Sequence, residues 1–140
     1  MSQEDVELAR RAYAALNDAF KAGDLVPFLR EFCDPEIVFK PAGILPETAE
    51  VRGHDGMLRF AIAQAEAFEE FRVEPQQYID AGDRVVVALR FGGLARHTGL
   101  DVAFEAFYVG TARDGKWTRV DTYVSKAEAL EAVGLPERAW

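Results

Sequence analysis

Cysteine occurs once, at Cys33, so no intramolecular disulfide can form and a zinc site built on several thiolates is excluded. Histidine occurs twice, at His54 and His97, far apart and without paired acidic neighbours, so a metal site has little support. The glycine pair in FGGLARHTG is not followed by a helical pattern, which leaves no dinucleotide cradle, and no cofactor is expected. No block of Lys or Arg stands out, and the formal net charge is -8. Nucleic acid and anionic membrane surfaces both need clustered positive charge, so neither is an expected partner. A small anion held by one or two cations stays compatible. The chain also lacks any run of about 18 apolar residues that could span a membrane. The stretch MSQEDVELARR has no apolar signal-peptide core, so the expected location is the cytoplasm. No Ser or Cys nucleophile sits in a recognisable setting, and Cys33, between Phe32 and Asp34, reads as a buried packing residue.

What is present is an ordinary globular balance: 140 residues, 49% hydrophobic and 29% charged, suited to a single domain over residues 1–140. From Ser2 to Lys21, Val6, Ala9, Tyr13, Leu16 and Phe20 recur at steps of three and four, one stripe of an amphipathic helix. Gly23 stops it and Asp24 caps a second helix in DLVPFLREF, where Pro27 sits in the tolerant first turn. EIVF reads as a strand, PAGILPETAEVRG as a loop and HDGMLRFAIAQAEAFEEF as a third helix. After Phe71 the period changes to two, predicting strands near Arg72–Asp80, Arg84–Phe91, Asp101–Ala112 and Trp117–Ser125. DAGD and RDGK are hairpin turns, and KAEALEAVG closes as a short helix. The order predicts an α+β fold, a curved, mostly antiparallel sheet with helices on one face and a ligand cavity between them.

Strand alternation sorts the later strands. One register turns Phe104, Ala106, Tyr108, Gly110 and Ala112 inward, with Val120, Thr122 and Val124. Val87, Leu89 and Phe91 add apolar wall, as do Leu16, Phe28, Phe32 and Phe60 from the helices. This composition suits a pocket for a hydrophobic small molecule, and equally a filled core. A slip of one residue would turn Asp121 inward in place of Thr122. Arg119 and Asp121 are alternate residues on one face, read as an outer ion-pair set with Arg90 nearby. His54 reads as a cap or surface hydrogen-bonding group, and His97 as a loop residue.

Three stretches carry a family resemblance: YAALNDAFKAGDLVPFLREFCDPEIVFKP, VRGHDGMLRF and ARDGKWTRVDTYVSKAEAL. With them the chain resembles the cone-shaped nuclear-transport-factor-like superfamily, and within it the SnoaL-like polyketide cyclases and the ketosteroid isomerases. The resemblance covers nearly the whole chain. It implies a curved sheet packed on three N-terminal helices with a short C-terminal helix. It also implies a homodimer through the outer face of the sheet, where Trp117, Tyr123, Phe107 and Val109 are expected unless the terminal helix covers them. The fold hosts many chemistries, so function rests on the site.

Aligned from the shared Gly-Asp, Lys40 falls where ketosteroid isomerases carry their catalytic aspartate. Their donor tyrosine falls at Leu16, with Tyr13 one turn earlier, and their donor aspartate falls near Phe107 or Tyr108. All three positions depart from the isomerase pattern, so that reaction is not expected. A lysine desolvated in such a pocket works as a base or a Schiff-base amine, or holds a carboxylate or enolate with Tyr108 as second donor. The other reading is a snorkelling lysine whose ammonium reaches water. Residues to test for catalysis are therefore Lys40 and Tyr108, with Asp121 and Tyr13 in reserve. Two functions follow: a cofactor-free isomerase, cyclase or lyase moving a proton on a hydrophobic substrate, or a non-catalytic ligand-binding or scaffold protein.

Overall fold

The computed structural model describes residues 2–41 and 50–136. The elements run α1 (Ser2–Ala22), α2 (Val26–Phe32), β1 (Cys33–Lys40), β2 (Val51–Arg52), α3 (Gly53–Ala67), β3 (Phe68–Asp80), β4 (Arg84–Ala95), β5 (Asp101–Arg113), β6 (Lys116–Tyr123) and α4 (Lys126–Ala132). One six-stranded sheet has the order β2-β1-β6-β5-β4-β3, antiparallel except for the parallel pair β1–β6. This is the α+β cone expected from the sequence.

Helix α1 lies against β3 and is pinned by one side chain. The Asn17 amide donates to the Val73 carbonyl at 2.6 Å and accepts from the Val73 N–H at 2.8 Å, a two-point imitation of strand pairing. Asp24 Oδ1 accepts from the Val26 N–H at 3.1 Å, one residue before the cap position that Leu25 occupies. Ser125 Oγ accepts from Glu128 N–H at 3.0 Å and caps α4. The two predicted hairpin turns are present, with positive φ at Gly82 in one and at Asp114 and Gly115 in the other.

Several features differ from the sequence reading. Helix α3 ends at Ala67, and the FEEF segment opens β3 instead, because Phe68 pairs with Ala95 and Glu69 with Leu94. Val51–Arg52, expected as loop, form the short β2 paired to β1; residues 42–49 of that loop lie outside the described residues. Helix α4 packs on the face opposite the other helices, where Ala129 buries Val86 and Val109 while Phe107 and Tyr123 pack alongside. The terminal helix is thus the covering of that corner of the outer face. Trp117 points inward, because β6 has one extra residue between Thr111↔Arg119 and Ala112↔Trp117, which reverses the side to which it points. Val124, expected inward, lies past the end of β6 and is 50% exposed.

A second bulge lies in β3, where two steps along β4, from Leu94 to Gly92, match three along β3, from Glu69 to Arg72. Glu70 takes φ 54 there, a left-handed conformation that costs an ordinary L-residue about 1–2 kcal/mol. Asn tolerates that region better. Glu70→Asn is therefore expected to stabilise the fold by about 0.5–1 kcal/mol. The check is a raised urea midpoint at unchanged slope; an unchanged or lowered midpoint refutes it.

Candidate functional site

Between the sheet and helices α1–α3 lies a cavity of about 480 Å³. Its walls are almost wholly apolar. Strand alternation delivers Phe39 from β1, Val85, Val87 and Phe91 from β4, Phe104, Tyr108 and Gly110 from β5, and Val120 and Thr122 from β6. Helix α1 contributes Tyr13 and Leu16 at a step of three, α2 contributes Phe28, and α3 contributes Met57, Phe60 and Gln64. The Trp117 ring lies over Gly110, where even a methyl group would meet the indole at 2.8 Å. Phe39 packs on Phe60 and Tyr108 with ring centroids 5.3 and 5.8 Å apart. Phe104 pairs with Phe91 at 5.6 Å and is 43% exposed, so it lies at the rim.

Of the residues read from the sequence as pocket wall, Tyr13, Leu16, Phe28, Phe60, Phe104, Val120 and Thr122 all line this cavity, as does Tyr108. Leu89 is fully buried in the core cluster behind it. Lys40 is corrected: it is exposed and does not line the cavity. Its neighbour Phe39 takes the inward position, so the pleat sends Lys40 to the outer face, opposite Asp121 of the parallel strand β6. Asp121 is likewise an outer-face residue. Arg119 grips its carboxylate through Nε at 2.9 Å and Nη2 at 3.0 Å, and reaches Glu50 at 3.0 Å. The two carboxylates raise the Arg119 pKa, and hydrogen bonding from Arg119 lowers that of Glu50. Arg90 stands apart from this set and faces Glu105 at 3.7 Å. The register thus selects Thr122 for the cavity.

The polar groups of the cavity are few. Among the described residues lining it there is no carboxylate, imidazole or amine. Tyr108 and Thr122 sit opposite each other on β5 and β6. Burial pushes the Tyr108 hydroxyl up to about 12, partly offset by the nearby Thr122 hydroxyl. Thr122 Oγ1 is nonetheless buried without a hydrogen bond of good geometry. Burial also raises the Tyr13 hydroxyl well above its usual value, and the proximity of Tyr108 adds to the rise. Both phenols therefore stay protonated at neutral pH and act as donors. His54 is not in the cavity; its Nε2 lies 3.0 Å from the Cys33 carbonyl and ties the start of α3 to β1. His97 is exposed in the turn after β4.

Sequence reasoning missed Phe39, Phe71, Gln64, Trp117 and Cys33 as wall residues. Phe39 is legible from its alternation with Ile37, whereas Phe71 and Trp117 owe their direction to bulges. The Cys33 thiol is pushed by burial from 9.0 up to about 12, slightly offset by Lys116. Below about pH 8 Cys33 and Tyr108 are protonated in folded and unfolded chains alike. Above it the unfolded chain ionises first, so stability present at neutral pH is lost as pH rises toward 12. Unfolding free energy is expected to fall by something on the order of 2 kcal/mol between about pH 8 and about pH 10.5. Urea titrations at the two values check this, and Cys33→Ala should flatten most of the difference.

A sequence comparison with curated proteins finds no match. Solved structures show the same fold. A candidate SnoaL-like polyketide cyclase from Jannaschia sp. CCS1 superposes with a TM-score of 0.70 at 19% identity, covering 96% of this chain and 94% of that one. Bal32a, from a soil-derived mobile gene cassette, gives 0.72 at 18% identity over 94% and 97%. TerC, crystallised with polyporic acid, gives 0.68 at 24% identity over 91% and 96%. The family model of the SnoaL-like domain matches residues 9–120, spanning the cavity-bearing core from α1 to β6, and the chain belongs to that family.

Proposed function

We propose that the protein binds a small, largely apolar molecule bearing one carbonyl or similar acceptor oxygen, and polarises that oxygen through Tyr108, Thr122 and Tyr13. The observation that carries this is Thr122 Oγ1, buried beside the Tyr108 hydroxyl without a hydrogen bond of good geometry, in an otherwise greasy cavity. A buried hydroxyl that is poorly satisfied costs up to roughly 1–3 kcal/mol, which a ligand acceptor would recover. The family relationship to cyclase- and isomerase-type small-molecule proteins supports the same reading. So does TerC, a neighbour in fold that was co-crystallised with polyporic acid.

The chemistry such a site supplies is hydrogen-bond polarisation in a water-poor space, without a side-chain base among the described lining residues. Ring closure of a substrate whose own nucleophile passes its proton to the carbonyl oxygen as the new bond forms and the C=O π bond breaks asks no more of the protein than that polarisation. Proton abstraction next to a carbonyl needs a base as well, and Lys40 and Asp121 lie on the other face of the sheet. The reading is therefore a carbonyl-binding pocket, with cyclisation favoured over base-dependent isomerisation. The test is a titration with prodan, a naphthyl ketone dye whose emission moves to the red when its carbonyl accepts a hydrogen bond. Saturable binding with a hydrogen-bonded emission maximum is expected. Absence of saturable binding removes the pocket, and binding with an emission typical of dry hydrocarbon removes the donor set.

A further inference from the structure

A second, open cavity of about 700 Å³ lies between the end of α1, the end of α3 and the start of β3. It shares Phe20, Gln64, Phe68 and Phe71 with the inner cavity. Phe71 is the centre of this partition, with ring centroids 5.1 Å from Phe20 and 5.6 Å from Phe68. All four partition residues are half-buried. Rotamer changes of these four side chains would join the two cavities and leave the strand ladder intact.

The chemistry changes across that wall. The outer cavity carries the cations Lys21, Arg72 and Arg96 and the carboxylates Glu70 and Glu74. Arg72 engages Glu74 at 3.2 Å, and Arg96 engages Glu69 at 3.1 Å while its Nε holds the Ala65 carbonyl of α3 at 2.7 Å. Lys21 has no ion pair among the described residues. The bulge creates this arrangement: the left-handed turn at Glu70 breaks the alternation, so Glu70, Phe71 and Arg72 all border the outer cavity.

We propose that the two cavities form one bipartite site for an amphipathic ligand, its apolar body inside and its anionic end group beside Lys21 and Arg72. This rests on the reading of the inner cavity as a small-molecule pocket. The probes are phenylnaphthylamine and anilinonaphthalene sulfonate, which share one ring system and differ by a single sulfonate. The sulfonate dye is expected to bind more tightly than the uncharged one. Lys21→Gln and Arg72→Gln should each weaken the sulfonate dye about two- to fivefold and leave the uncharged dye unchanged. Glu70→Gln should tighten the sulfonate dye by a similar factor. All three positions are exposed, so the variants are expected to fold. Equal effects on both dyes, or none on the sulfonate, overturn the anion site while the pocket stands. If neither dye saturates, the pocket reading fails and the bipartite site fails with it.

Discussion

Replacing Gly92 by alanine is expected to destabilise the protein by about 3–5 kcal/mol. Gly92 sits in β4 with φ 153, and a methyl group there would stand 1.9 Å from the Val102 carbonyl oxygen and 3.1 Å from Ala103 Cα. Both obstacles are backbone of the paired strand β5, so nothing can swing aside. Two costs add: a conformation that L-residues avoid, and a clash that only separation of the strands relieves. Typical domains hold about 5–15 kcal/mol in total, so the variant should unfold at markedly lower urea or temperature. Gly99→Ala is the control, since it has φ 72 but nothing within 4 Å of the added methyl. It carries the conformational cost alone, about 1–2 kcal/mol. Equal losses at the two sites would show that strand crowding at Gly92 has been overrated.

Thr122→Val and Tyr108→Phe should move stability and binding in opposite directions. Valine removes a buried hydroxyl that has no hydrogen bond of good geometry, so the empty protein should gain about 1 kcal/mol. The same change removes a donor from the ligand oxygen. With Tyr108→Phe added, ketone affinity should fall about tenfold or more, while the affinity for a hydrocarbon dye of like shape holds within about twofold. Prodan emission should shift to the blue in the double variant. The paired readout matters because a collapsed cavity would weaken both ligands alike. A double variant that keeps full ketone affinity would mean that the ligand oxygen lies elsewhere.

Much of the cavity wall is legible in the residue pattern. Period two in β5 puts Phe104, Tyr108 and Gly110 on one face, and the period near 3.6 in α1 aims Tyr13 and Leu16 at them. The Asp-Gly turn at Asp114–Gly115 fixes the β5–β6 pairing. The single extra residue in β6 and the bulge at Glu70 are not legible, because a bulge changes backbone geometry without leaving a residue pattern of its own. They decide the direction of Trp117 and Phe71. The α4 sequence shows one apolar side, with Ala129 and Leu130 fully buried, but an apolar side does not say which face of a sheet it will cover. Lys40 is instructive in another way. Ile37 and Phe39 already claim the inner face, so the pleat alone assigns the lysine to the outer one. Correspondence with a relative's catalytic position points the other way, and the pleat wins.

The parallel pairing of β1 with β6 bears on how the protein is made. Cys33 meets Trp117 and Phe39 meets Val120, joining the first strand to the last. Parallel neighbours need a crossover, and here the crossover is most of the chain. This pairing is long-range in sequence and its closure entropy must be met before it rewards folding, so folding should be slower than for a chain of purely local contacts. During synthesis β1 is expected to wait, with one side of its ladder open, until β6 emerges. A cavity walled by Phe39 of β1 and Val120 of β6 therefore needs both strands, and is expected to form in the nascent chain only once β6 is available.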